Sequence, residues 1–250
     1  MPTTPIFKAR TVRTAGRLIA AGLRALLIGP LLAGSLTVSA QVDEDRLGAW
    51  YMLFWSAPFE DSRWGLQGDI QHRNWDLGGD LEQLLLRGGV TYRPAFADVL
   101  LTLGYGNITS EAFGADDRET DEDRIYQEAL WSQKFGARLF LRHRFRFEQR
   151  WVENQDFRTR FRYNLFVDVP LNRNDLAPGA VYASFYNELF INGQRDIGGG
   201  RRVDIFDRNR TYLALGYSAW PGLKLQFGYM LQMTDDVEKG QLQLSLHQSF

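Results

Sequence analysis

Several stretches of this chain alternate apolar and polar side chains with a period of two, for longer than a soluble sheet needs. In RLFLRHRFRFEQRW, Leu139, Leu141, Phe145 and Phe147 fall on one face, and Arg142, Arg144, Arg146, Glu148 and Arg150 on the other. FRTRFRYNLFVDV sets Phe157, Phe161, Tyr163, Leu165, Val167 and Val169 against Arg158, Arg160, Arg162, Asn164 and Asp168. LKLQFGYMLQM repeats the pattern near the C-terminus. Successive side chains of a strand point to opposite faces, so each stretch is a strand with one apolar and one polar side. Strands of soluble sheets are usually about 5–6 residues long. A tilted strand that crosses a bilayer needs about 9–11, which these segments match.

Eleven segments carry the pattern: 47–57, 63–74, 82–93, 98–106, 124–135, 137–151, 156–169, 179–192, 208–219, 222–233 and 240–250. Short connectors fall at Phe135-Gly136-Ala137, Ala219–Gly222 and Arg93–Ala97, and long polar ones at Asn107–Asp123 and Gly193–Asp207. No apolar run beyond residue 40 approaches the length of a membrane helix. The only β structure that lipid tolerates is a closed one, because an open edge leaves backbone groups unpaired. The expected fold is therefore all-β: a transmembrane antiparallel up-and-down barrel of about 10–12 strands. With Phe250 in the periplasm, the turns at Gly136 and Pro221 are periplasmic and the two long loops external. The first segment, AWYMLFW within 47–57, then runs the wrong way for an even-numbered barrel, and its role stays open.

The start of the chain agrees with export. Lys8, Arg10, Arg13, Arg17 and Arg24 are the only charges in residues 1–40, and the apolar stretch ALLIGPLLAGSLTVSA ends in the small-residue site Val38-Ser39-Ala40. That pattern predicts a signal peptide over 1–40, cut before Gln41, and an outer-membrane barrel domain over 41–250 in the cell outer membrane. There is no Cys, which excludes disulfides, thiolate metal sites and a lipidated N-terminal cysteine. The chain holds 29 Lys+Arg and 30 Asp+Glu; without the five leader cations, 24 face 30, a net charge of −6. No nucleic-acid partner is expected from that balance. Only Lys134, Lys224 and Lys239 are lysines among those 24, a preference that suits guanidinium forks held in fixed networks.

The chain ends QLQLSLHQSF, with Leu242, Leu244, Leu246 and Phe250 on one face. A terminal aromatic after alternating apolar residues resembles the signal read by the barrel-assembly machinery; Gln248 departs from it. RFRFEQRW, RTRFRYNLFVDVPL, YNELFING, FDRNRTYLALGY and LQFGYMLQ, in that order, resemble a family of small Gram-negative outer-membrane barrels, domain of unknown function 2490. The resemblance covers about 47–250. It implies the same fold and location and carries no activity.

The polar face of 137–151 and 156–169 lines the lumen with Arg142, Arg144, Arg146, Arg150, Arg158, Arg160 and Arg162, accompanied only by Glu148 and Asp168. Arg208 and Arg210 face the same way in the strand over 208–219. Like charges across a strand pair repel, so anions must reach them: Asp69, Glu128, Glu188 and Asp207 from other walls, or small anionic solutes from solution. Two readings follow. One is a sealed structural barrel whose lumen is filled by an Arg–carboxylate network. The other is a narrow channel or binding barrel for small anionic solutes, since rings of Arg favour anions.

No catalytic set, cofactor or metal is expected. Ser245 and His247 share the inward face of the last strand and could form a dyad with a carboxylate, the remote reading being a lipid-modifying enzyme. At i and i+2 they stand about 7 Å apart along the chain, beyond hydrogen-bond reach. The acidic loop NITSEAFGADDRETDED reads as solvated external chain, or as a place where lipopolysaccharide is bridged by divalent cations. The expected partners are outer-membrane lipid and lipopolysaccharide.

Overall fold

A computed structural model describes residues 46–114 and 118–250. The expected signal peptide lies outside the described residues, as do Asp116 and Asp117 of the acidic loop. Among these residues eleven strands follow one another with no helix between them: β1 (Gly48–Pro58), β2 (Trp64–Asn74), β3 (Leu81–Tyr92), β4 (Val99–Glu111), β5 (Glu119–Phe135), β6 (Leu139–Val152), β7 (Arg158–Pro170), β8 (Val181–Asn192), β9 (Phe206–Trp220), β10 (Leu223–Met233) and β11 (Glu238–Ser249). They close into one barrel in which every sequential pair is antiparallel.

The seam departs from the antiparallel expectation. β1 pairs with β11 in parallel, from Gly48 opposite Gln241 to Ser56 opposite Ser249. The segment 47–57 is thus a wall strand. Its direction, which conflicts with an even-numbered barrel, is what an odd number of strands requires. Phe54 stacks on His247 across the seam at 4.8 Å between ring centroids, and the Phe250 N–H donates to the Ser56 carbonyl (2.9 Å).

Because the count is odd, the barrel has an entry rim where β1 begins and an exit rim where β11 ends. The entry rim carries connections 75–80, 112–118, 153–157, 193–205 and 234–237, and the exit rim 59–63, 93–98, 136–138, 171–180 and 221–222. The long loop expected over 107–123 shortens to 112–118, because β4 and β5 continue as a ladder from Asn107 opposite Asp123 to Glu111 opposite Glu119. Cross-strand hydroxyls hold its acids: Thr109 Oγ1 donates to Asp121 (2.7 Å) and the Tyr105 hydroxyl to Asp123 (2.5 Å). In the 75–80 turn, N–H groups of Gly79, Gly78 and Asp80 all donate to the Asp76 carboxylate, which lowers its pKa to about 2.

Outward side chains are apolar along most of the wall, and Ile70, Leu103, Phe145, Leu213, Leu215 and Phe227 stand exposed. Aromatic pairs lie near the rims, Trp64 with Tyr92 at the exit and Trp151 with Phe157 at the entry. The inward face is polar, relieved by one small apolar cluster of Trp50, Tyr212, Ala214 and Met230. Two inward glycines make room for aromatic rings: Tyr126 lies over Gly104, and Tyr182 over Gly216. A side chain at Gly104 would meet the Tyr126 ring, whereas one at Gly88 meets only the Gln67 carbonyl oxygen, at 3.9 Å. Gly104→Val is therefore expected to cost about 1–3 kcal/mol by overpacking, and Gly88→Val much less. Urea unfolding of the two variants in detergent measures the difference; equal midpoints would contradict this packing.

Candidate functional site

The strand register sets the electrostatics of the lumen. Unlike charges face each other at Glu128–Arg146, Glu148–Arg160 and Glu188–Arg210. Like charges face each other at Arg146–Arg162 and along the row Arg124–Arg150–Arg158. Such pairs are unfavourable unless carboxylates reach between them.

Glu148 is the hub. It is fully buried and accepts from Arg160 Nη2 (2.7 Å) and Arg162 Nη1 (2.7 Å), with Arg146 Nη1 at 3.8 Å. Arg162 also reaches Glu188 (2.5 Å), which Arg144 contacts at 2.7 Å. Arg146 bonds Glu128 at 2.6 Å while its guanidinium lies 4.3 Å over the Tyr126 ring. Arg160 bridges on to Asp207 (3.0 Å), shared with Arg208 (3.3 Å). Chains of shared carboxylates therefore link β5 through β9.

The remaining expected lumen residues lie on the same face with different partners. Arg142, near the exit rim, pairs with Asp168 (3.0 Å), which also accepts from Ser184 Oγ (2.6 Å). Arg150 shares Glu122 with Arg124. Arg210 donates to Gln232 (2.8 Å) and has no carboxylate within ion-pair distance among the described residues. Arg158 has none either, and its buried Nε lacks a hydrogen-bond partner. Of the carboxylates expected from other walls, Glu128, Glu188 and Asp207 meet the Arg-rich strands; Asp69 instead bonds Arg87 (2.8 Å). Leu242, Leu244 and Leu246 face outward on β11, and Phe250 follows it at the exit rim.

Glu122 corrects the reading of the acidic loop as solvated chain. It turns inward on β5 and is buried between two arginines. The signal was present: Glu122, Arg124, Tyr126 and Glu128 continue the inward alternation of β5. Arg73, Arg87 and Arg124 are further lumen arginines that were missed: β2 and β3 mix their charges with Gln, Gly and Leu, and Arg124 opens the expected strand over 124–135, next to the acidic loop. Among the described residues no group of three His, Asp or Glu could hold a metal ion.

Two chambers flank the network. One of about 210 Å³ lies toward the entry rim, and one of about 420 Å³ toward the exit rim. Arg73, Arg87, Arg162 and Arg210 line both. The larger chamber mixes Arg142, Arg144 and Lys224 with Phe54, Phe166 and Tyr186. In its wall Ser245 Oγ and His247 Nε2 stand 3.1 Å apart, within hydrogen-bond reach despite their i, i+2 spacing. The estimate from backbone rise ignored side chains that lean along the strand.

A buried charge that loses its partner is costly, about 3–5 kcal/mol. Glu148→Ala takes from Arg160 and Arg162 the carboxylate they share, leaving them Asp207 and Glu188, and is expected to destabilise by about the lower end of that range, while Glu148→Ala combined with Arg160→Leu should recover part of it. Denaturant titration of the single and double variants reads the coupling; strictly additive losses would show that the hub does not bind the two strands.

A family model described as protein of unknown function (DUF2490) matches residues 47–243. No curated protein and no solved structure matches the chain.

Proposed function

Since the chain belongs to the DUF2490 family of proteins of unknown function, its activity must be read from its lumen, and we propose an outer-membrane barrel that binds small anionic solutes inside and gives them no continuously open passage. The observation that carries this reading is that four arginines line both chambers, and the carboxylates that pair with Arg87 and Arg162 are themselves buried. Charges fixed at that depth narrow the lumen, while the surplus of guanidinium over carboxylate favours anions. The outer-membrane location is supported by the apolar outward wall, the aromatic pairs near the rims and the leader-like residues 1–40.

Planar-bilayer recording on the purified, processed chain tests the lumen. Wild type is expected to show no long-lived conducting steps, and Glu148→Ala brief anion-selective ones. Stable ohmic steps in wild type would replace this reading with an open pore; if Arg144→Glu and Arg160→Glu shifted their selectivity, those residues would be its lining. Fractionation of cells expressing the full chain tests the location: a heat-modifiable band in the outer-membrane fraction is expected, and recovery in the soluble periplasm would overturn it.

A second reading, an outer-membrane lipid-modifying enzyme, is favoured by one distance, the 3.1 Å between Ser245 Oγ and His247 Nε2. His247 would take the hydroxyl proton as Ser245 attacks an acyl ester, and return it to the departing alcohol as the acyl group passes to Ser245. Ser245→Ala should then abolish acyl turnover on phospholipid or lipopolysaccharide; undiminished turnover removes the dyad from consideration.

A further inference from the structure

Building on the reading of an anion-binding lumen, we propose that the entry-side chamber is a site for a small multivalent oxyanion, of the diphosphate or tricarboxylate class. Nine of the seventeen residues that line it are arginines, and one, Glu122, is a carboxylate. Glu122 is already divided between Arg124 and Arg150. The row Arg124–Arg150–Arg158 therefore brings three guanidiniums together across β5, β6 and β7 with a single internal counter-charge.

Three arginines carry the surplus. Arg158 on β7 is buried, has no ion pair among the described residues, and keeps an unsatisfied Nε in the chamber wall. Arg210 on β9 is bonded through Nε to the neutral amide of Gln232. Arg73 on β2 is bonded to the neutral amides of Gln71 and Gln83. The last two also flank one indole, their guanidinium carbons 4.8 Å and 3.9 Å from the Trp50 ring centroid. Trp50 itself is anchored by its N–H on Glu82 (2.8 Å), so both guanidiniums rest on a fixed platform. The charges stand on separate walls, and a monovalent ion could neutralise only one at a time. An anion with several separated oxygens can receive N–H donors from more than one wall, in the geometry that guanidinium forks favour.

The test is isothermal titration of the purified full chain, processed and in detergent at low salt, with pyrophosphate, citrate, inorganic phosphate and chloride as probes. Pyrophosphate or citrate is expected to bind at least about tenfold more tightly than phosphate, and Arg158→Gln to weaken that binding by about tenfold or more. Arg158→Gln should also raise the unfolding midpoint, because it removes an unpaired buried charge, so lost binding cannot be put down to misfolding; Arg210→Gln serves as the second variant. The preferred probe tells the two ligand chemistries apart. Phosphate or chloride binding as tightly as the multivalent probes would overturn this site while leaving the anion-binding lumen in place. Binding by none of the four would overturn both. Multivalent binding that Arg158→Gln and Arg210→Gln leave unchanged would place the anion elsewhere and overturn the site alone.

Discussion

A carboxylate with no exposure to solvent, bonded to arginines from the facing strand, is the constraint around which this barrel is organised. Glu148 sits at that depth because Arg160 and Arg162 hold it at 2.7 Å each. Those arginines in turn need it, for Arg162 stands directly opposite Arg146 in the register. Desolvating such charges is expensive, and their mutual attraction offsets the cost only when geometry and hydrogen bonding are good. Glu128, Glu188 and Asp207 extend the same logic around the wall, so the position of each of β5 to β9 is tied to that of its neighbours by charge as well as by backbone ladder.

The two faces of each strand therefore answer to different physics. Outside, the wall presents apolar area with little geometric specificity. Inside, every guanidinium needs a directed acceptor, and the aromatic rings of Tyr126, Phe166 and Phe190 provide flat supports beneath several of them. Where the demand for volume is local, glycine meets it, as beneath Tyr126 and Tyr182. The lumen holds two chambers, the smaller lined by arginine at about half its residues and the larger mixed with aromatic surface.

Much of this was legible from periodicity. The eleven segments, the inward face of β6 and β7, and the need for carboxylates from other walls all follow from a strict two-residue alternation. What alternation could not supply was the seam. Whether β1 joins the wall depends on a partner about 190 residues away, and no local pattern announces a parallel ladder. Glu122 was obscured by its neighbours: Asp121 and Asp123 face outward on the same strand, so the segment looked like a uniformly charged loop. The contact between Ser245 and His247 was underestimated because backbone rise fixes where Cα atoms lie, not how far side chains lean. The distribution of paired and unpaired arginines is a property of three-dimensional reach, and Arg158 looks no different from Arg160 in the sequence.

The parallel seam has a topological consequence. The described chain enters the wall at one rim and leaves it at the other, with Gly48 and Ser249 separated by the full length of a strand. At about 3.3 Å per residue, the eleven residues of β1 extend on the order of 35 Å along their own direction. A barrel with both ends at one rim can be cut in any loop and its old ends rejoined by a short linker. Here a linker would have to climb the apolar outer wall or thread a lumen crossed by guanidiniums. The order of strands along the chain is thus protected against circular permutation by the same charged interior that fills much of the lumen.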